Sequence, residues 1–345
     1  MISPQRVTPG DRVAVLSPAW AAPAYFPQLH EQALERLKNE LHVEPVEYPT
    51  TRAMGAAPAE RAADVNAAFA DPSIRAIFTT VGGDDLIEVV PLLDPELPVA
   101  DPKPFFGYSD NTNILNWLWG LGVSSFHGGS TMVHLTGPHV DDAHIHTLKA
   151  AMFAQGDIVL PISQTSQDYG FDWSDPRAVC EPSPRGPALP LEFFGNESPV
   201  RGRTWGGCLE VIDQLAIADR LPDADELEGA ILIFETSELL PPADYVGRWI
   251  RAMGERGYLD AAAGLAFARP VVSDRDKPKE SDAELDAKRM AYYEFLLSNI
   301  ARYREDLTVC LDLPFGHTRP QLILPYGGEI TLDPCNRAVI GHFND

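Results

Sequence analysis

Between residues 12 and 154, short apolar runs alternate with amphipathic stretches, and this strand-helix rhythm most narrows the fold. Arg12–Ser17, Val43–Tyr48, Ile74–Val81, Pro104–Gly107 and Val123–Phe126 read as strands, with helices at Gln28–Leu41, Ala59–Ala70, Asp85–Leu92 and Asn111–Trp119. Leu29, Ala33, Leu37 and Leu41 recur every fourth residue, so the first helix offers one apolar face to a sheet. Helices between successive strands act as crossovers, which predicts a parallel α/β sheet. From Pro161 to Pro199 the rhythm stops and prolines crowd in (Pro176, Pro182, Pro184, Pro187, Pro190), as in a linker or a long functional loop. Beyond it, apolar runs at Gly229–Phe234, Ala263–Ala268, Leu307–Leu313 and Gln321–Leu324 mix with helices near Leu209–Ala216, Ala243–Arg256 and Ala283–Arg302. The expected organisation is an N-terminal α/β domain (1–160), a proline-rich linker or active-site loop (161–200) and a second, distinct α/β domain (201–345).

Charge removes several function classes. The 345 residues carry 27 Lys and Arg against 50 Asp and Glu, a formal charge of −23. No basic footprint exists for nucleic acid or an anionic membrane, and an anionic substrate must be held by local dipoles and a few cations. The opening residues lack a basic stretch followed by a signal-length apolar run, and nothing reaches the roughly 18 apolar residues of a membrane span. A soluble cytoplasmic protein is expected. Cys180, Cys208, Cys310 and Cys335 stand far apart and form no C-x-x-C pair, which fits reduced thiols.

Four segments could carry chemistry. Phe105-Phe106-Gly107-Tyr108-Ser109-Asp110-Asn111 joins a strand to a helix whose Ile114, Trp117, Leu118 and Leu121 form one stripe. Ser109 there is either a helix cap or an exposed nucleophile beside backbone N–H donors, as in a G-x-S-x-G elbow with Asn111 replacing the last glycine. Thr79-Thr80-Val81-Gly82-Gly83-Asp84-Asp85 is a second strand-to-helix junction, whose paired glycines let backbone approach a ligand or simply make a tight turn. Phe234-Glu235-Thr236-Ser237-Glu238 ends an apolar strand with a carboxylate, and Leu313-Pro314-Phe315-Gly316-His317-Thr318 sets a histidine in a turn after another. Singly, each is an ordinary strand-end polar residue. Together, Ser109, Glu235 and His317 follow the order nucleophile, acid, base, each at a strand end.

Rivals exist. Gly206-Gly207-Cys208-Leu209 puts a thiol at a helix start, as an activated nucleophile or a small buried filler. His134, His139, Asp141, His144 and His146 offer imidazoles for a metal but lack H-E-x-x-H spacing. Trp173 is a loop anchor or a platform for a planar ligand group. Arg203, Arg269 and Arg319 are candidates to hold a substrate carboxylate.

Gly107-Tyr108-Ser109-Asp110, His127-Gly128-Gly129, Gly206-Gly207-Cys208-Leu209-Glu210, Phe234-Glu235-Thr236-Ser237-Glu238 and Gly316-His317-Thr318 together resemble the LD-carboxypeptidase family of serine peptidases, especially its microcin C self-immunity branch. The resemblance spans nearly the whole chain. It implies a two-domain, homodimeric enzyme without metal or organic cofactor, with a triad of Ser109, Glu235 and His317 across the domain interface. It further implies an oxyanion hole from the N–H groups of Gly83 and Asp110, with Gly82 and Trp173 against the substrate. It gives Cys208 a supporting, inert position. The expected substrates are peptidyl- or aminoacyl-nucleotides, with L,D-linked muropeptides ending in D-Ala as the alternative. The stretch from Pro176 to Phe194 departs from the branch pattern and bears on nucleotide recognition. From another class, a non-catalytic module holding an acidic ligand against Gly82-Gly83 also fits the residues.

Overall fold

The computed structural model describes residues 1–277 and 280–344. Two sheets carry the chain. In the first, Glu44–Glu47, Arg12–Leu16, Ile74–Thr79, Phe105–Gly107 and Ser125–His127 lie side by side and parallel. Leu324–Tyr326, from near the C-terminus, closes its far edge antiparallel to Ser125–His127. The second sheet has a parallel centre of Val200–Cys208, Ile231–Glu235, Gly264–Ala268 and Thr308–Leu313. Antiparallel strands flank it, and one of them, Gly156–Val159, comes from before the proline-rich stretch. The expected α/β class with two distinct sheets is therefore the observed one. Strands of the parallel centres are buried along almost their whole length, as expected where helices cover both faces.

Local agreement follows the strength of the periodicity. Helix Pro27–Asn39 buries Leu29, Ala33 and Leu37, with Leu41 buried just beyond its end. The expected helix Asp85–Leu92 is instead two 3-10 turns, Leu86–Glu88 and Val90–Leu92, because Pro91 lacks the N–H that would continue an α-helix. The expected strand Gln321–Leu324 is displaced to Leu324–Tyr326. In the proline-rich region only short pieces form, the pair Thr165–Ser166 and Gly186–Pro187 and the helical turn Arg177–Cys180.

The two sheets meet through the helix that follows Ser109. Helix Thr112–Gly120 packs on strand Val200–Cys208 and helix Leu209–Ile217. The Cys208 N–H donates to Thr112 Oγ1 (3.2 Å), and the buried Trp205 indole donates to Asn116 Oδ1 (3.1 Å). The Asn116 amide donates in turn to the Arg220 carbonyl (2.8 Å).

Arg269 belongs to this framework and not to a ligand site. It is buried against Asp312, with Nε donating to Oδ2 at 3.0 Å, and it also meets Ser166 and the Leu189 carbonyl. Tyr293 donates its hydroxyl to the other carboxylate oxygen of Asp312. Truncation to Arg269→Ala leaves Asp312 buried without its counter-charge. Chemical denaturation should register a loss of about 3–5 kcal/mol, whereas a change below about 1 kcal/mol would mean that the pair is solvated.

Candidate active site

Strand Phe105–Gly107 delivers the chain to Ser109, which takes a left-handed conformation (φ 62°) uncommon for a residue with a side chain. A 3-10 turn, Ser109–Asn111, separates it from helix Thr112–Gly120, so the helix begins one residue later than expected. Ser109 Oγ lies 3.1 Å from His317 Nε2, and His317 Nδ1 lies 2.6 Å from Glu235 Oε2. Three side chains from distant parts of the sequence thus form one hydrogen-bonded line.

Each partner is held from behind. Glu235 ends strand Ile231–Glu235 and pairs in parallel register with Cys208. The following loop is pinned by Glu210, whose Oε1 accepts from the Ser237 N–H and hydroxyl (2.9 and 2.7 Å). Gly316 (φ 83°) lets the His317 turn close on the acid, since a Cβ there would sit 2.6 Å from Glu235 Oε2. Buried Gln321 joins two loops, accepting from the Gly129 N–H (3.0 Å) and donating to the Gly316 carbonyl (2.6 Å). Glu210 and Gln321 were not singled out as positioning residues from sequence. Glu210 stood inside a quoted motif, whereas nothing in the sequence marks Gln321.

The glycine turn lies directly against the serine. A Cβ on Gly82 would fall 2.8 Å from Ser109 Oγ and 3.3 Å from the Asp110 nitrogen, and Gly83 lies against Ala19. Asp110 and Asn111 tie the two turns together: Leu86 N–H donates to Asp110 Oδ2 (3.0 Å), and Asn111 Nδ2 donates to the Val81 carbonyl (3.2 Å). Burial, then the nearby Asp85 and Asp84 charges, push the Asp110 carboxyl up to about 6.

Burial acts to lower the pKa of His317, but the carboxylate of Glu235, followed by Glu238 and Glu210, overcomes it and raises the imidazole to about 9. Glu238 reaches the same Nε2 at 3.2 Å while its own side chain is 59% exposed, so it competes with Ser109 for that nitrogen. Behind the acid, His127 is wholly buried 3.9 Å from Glu235 Oε1. Desolvation and then His317 drive His127 down to about 3, leaving it neutral.

These groups open into a cavity of about 900 Å³. Trp173 stands on its wall with its ring parallel to Trp20 (centroids 6.3 Å apart) and edge-on to Phe26 (5.4 Å). Asp84, Asp85, Asp168, Asp172, Asp274, Asp276 and Glu238 make the lining strongly acidic. Arg319 lines the cavity; Arg203 is exposed on strand Val200–Cys208 away from it, and Arg269 is consumed by Asp312.

The rivals separate on the same geometry. Cys208 is buried, and burial followed by Glu235 and Glu210 raises its thiol well above the ordinary range, which disfavours a thiolate nucleophile. His134 and His144 stack face to face (centroids 4.8 Å), and burial lowers both, His144 to about 4. Among the described residues, no three His, Cys, Asp or Glu side chains converge as metal ligands.

The raised imidazole has a sign that titration reads directly. The folded value exceeds the unfolded one of roughly 6.5. The charged contact therefore stabilises the fold in full below about 6.5 and fades as pH rises through about 9. NMR of the ring protons should give His317 an apparent pKa near 9. It should move down in Glu238→Gln and further down in Glu235→Gln. A wild-type value at or below about 6.5 would show that the carboxylates do not control the ring.

The LD-carboxypeptidase N-terminal domain profile matches residues 13–128, and the C-terminal domain profile matches residues 201–332. A Streptomyces coelicolor protein named "Putative carboxypeptidase" is 33% identical over 96% of this chain and 94% of its own. The microcin self-immunity protein MccF of Escherichia coli is 23% identical over 81% of this chain and 77% of its own. The solved wild-type apo MccF superposes with a TM-score of 0.85 at 20% identity, covering 100% of both chains. An MccF-like protein from Streptococcus pneumoniae, solved with AMP, gives 0.83 at 22% identity over 97% of this chain and 100% of its own. No helix among the described residues is long and apolar enough to cross a membrane. By its two matched domains and its relatives, the chain belongs to the LD-carboxypeptidase family of serine peptidases.

Proposed function

We propose that the protein hydrolyses an amide bond through an acyl-enzyme, with Ser109 as nucleophile, His317 as general base and Glu235 as the carboxylate that orients the imidazole. The observation that carries this reading is the continuous line from Ser109 Oγ through His317 to Glu235, with contacts of 3.1 and 2.6 Å, opening on the cavity. Neutral His317 takes the serine proton as Oγ attacks the carbonyl carbon, and Glu235 stabilises the imidazolium. The N–H groups of Gly83 and Asp110 receive the oxyanion, a contribution of about 2.7–4 kcal/mol per donor in such sites. The imidazolium then protonates the leaving nitrogen as the C–N bond breaks. A water, deprotonated by the same ring, frees the acid and restores the serine. The chain would work as a cytoplasmic homodimer without metal or organic cofactor.

As substrate class we propose peptidyl- or aminoacyl-nucleotides, the planar base lying against Trp173 while Gly82 borders the scissile bond. Two facts support it. Trp20 and Trp173 form an aromatic wall within the same cavity as Ser109, and solved MccF structures hold aspartyl sulfamoyl adenosine and glutamyl sulfamoyl guanosine. One observation favours the second reading, release of a terminal D-Ala from an L,D-linked muropeptide. The cavity's many carboxylates repel a phosphate, a group this peptide lacks, while its terminal carboxylate meets the same field and needs a cation beside it.

A fluorophosphonate probe should label the wild type and Cys208→Ala but not Ser109→Ala. Hydrolysis should fall by about 10⁴-fold or more in Ser109→Ala and His317→Ala. No adduct on the wild type, with ligand binding unchanged in Ser109→Ala, would instead identify a non-catalytic module for an acidic ligand. Product masses after incubation with an aminoacyl-nucleotide phosphoramidate and with a muropeptide tetrapeptide decide the substrate. Cleavage of the nucleotide is expected, with KM raised about 10-fold in Trp173→Ala; cleavage of the muropeptide alone reverses the order. Because the base must be neutral, kcat/KM should rise with pH through about 9.

A further inference from the structure

Three guanidinium groups line the active-site cavity, and they are not equivalent. Arg61 is locked in a two-pronged pair with Asp85 (2.7 and 2.8 Å) and also donates to the Pro18 and Ala19 carbonyls. Arg275 lies 3.9 Å from Asp172 and stacks over the Tyr169 ring at 4.7 Å. Arg319 has neither arrangement. Among the described residues, its guanidinium makes no side-chain hydrogen bond and has no carboxylate at salt-bridge distance, although the lining is rich in carboxylates. A partly buried charge without a counter-charge costs solvation free energy, and an acidic chain has abundant means to pair it.

The backbone nevertheless holds this arginine firmly. It lies two residues beyond His317, and its N–H and carbonyl are exchanged with Gln167 (2.9 and 3.0 Å). Gly170 makes room for the head group, since a Cβ there would lie 2.7 Å from Arg319 Nη1. A planar fork of donors on a tethered backbone, lining the cavity and unpaired among the described residues, matches the two oxygens of a carboxylate or phosphate.

We propose that Arg319 is an anion subsite of this cavity, engaging a carboxylate or phosphate oxyanion on the substrate by a bidentate contact. The inference rests on the hydrolase reading only for calling the ligand a substrate; the binding site itself does not require catalysis. In a cavity whose described lining is otherwise acidic, a cation unpaired among the described residues biases where the negative group of a ligand lies, and hence its orientation relative to Ser109.

Binding separates the two sources of the oxyanion. Tryptophan fluorescence, with Trp20 and Trp173 on the cavity wall, would follow two matched titrations. One compares N-acetyl-D-alanine with N-acetyl-D-alaninamide, and the other compares AMP with adenosine. The wild type should bind the anionic member of at least one pair about 10-fold more tightly, and the pair showing the preference identifies a carboxylate or a phosphate. In Arg319→Gln, which keeps most of the side-chain volume, and in Arg319→Ala, the preference should shrink to less than about 2-fold; Arg319→Lys should retain part of it. Absence of preference in the wild type for both pairs, or a preference that survives Arg319→Gln, overturns the proposal. Fluorophosphonate labelling of the wild type is read separately. A preference that depends on Arg319 in a protein whose Ser109 is never labelled would end the hydrolase reading and leave the anion subsite standing.

Discussion

The active-site geometry depends on how helix Thr112–Gly120 seats on strand Val200–Cys208. Ser109 is carried by the first of these elements, through its preceding turn, and Glu235 by the strand adjacent to the second. The Thr112–Cys208 and Asn116–Trp205 hydrogen bonds are buried, so their donors and acceptors have no water to fall back on. A shift of the helix by even an ångström would leave those groups unsatisfied. The same contacts that exclude water from the junction therefore set the serine at hydrogen-bonding distance from an imidazole supplied by a third segment.

Electrostatics in the site is a contest between desolvation and a local excess of carboxylates. His317 stays basic because Glu235 lies against one nitrogen and Glu238 near the other. His127, fully buried and close by, lies 3.9 Å from the acid, beyond hydrogen-bond reach, and is neutral. Two imidazoles in one pocket thus differ in charge through position alone. Asp110 shows the other side of the balance: its carboxyl is raised by burial and by its acidic neighbours, yet it still accepts the Leu86 N–H and fixes the glycine turn against Ser109.

Much of this was legible in the residues. The strand-helix alternation foretold the first sheet, because short apolar runs joined by amphipathic helices bury both kinds of element when the runs pair in parallel under the helices. Ser109, Glu235 and His317 were readable as candidates from their places after apolar runs, and only the fold brings them within hydrogen-bond distance of one another. The helix expected at Asp85–Leu92 failed on Pro91, a local signal outweighed by apolar periodicity. Antiparallel additions from Gly156–Val159 and Leu324–Tyr326 were illegible for a different reason. Which edge a short strand joins is decided by partners far away in the chain. Gln321 and Glu238 belong to the same class: a polar side chain gains its role from what folding brings to it.

By itself, the sequence determined most of the elements, the acidic character and the chemical identity of the groups at the strand ends. These properties are local, since periodicity, turn residues and charge act within a few residues of where they are written. Only the tertiary structure decided which of the candidate cations is free. Arg203, Arg269 and Arg319 are the same group in sequence, yet one is exposed, one is neutralised by Asp312 and one faces the cavity unpaired among the described residues. That outcome rests on burial and on the distance to the nearest opposite charge, and neither quantity exists until segments remote in sequence have packed together.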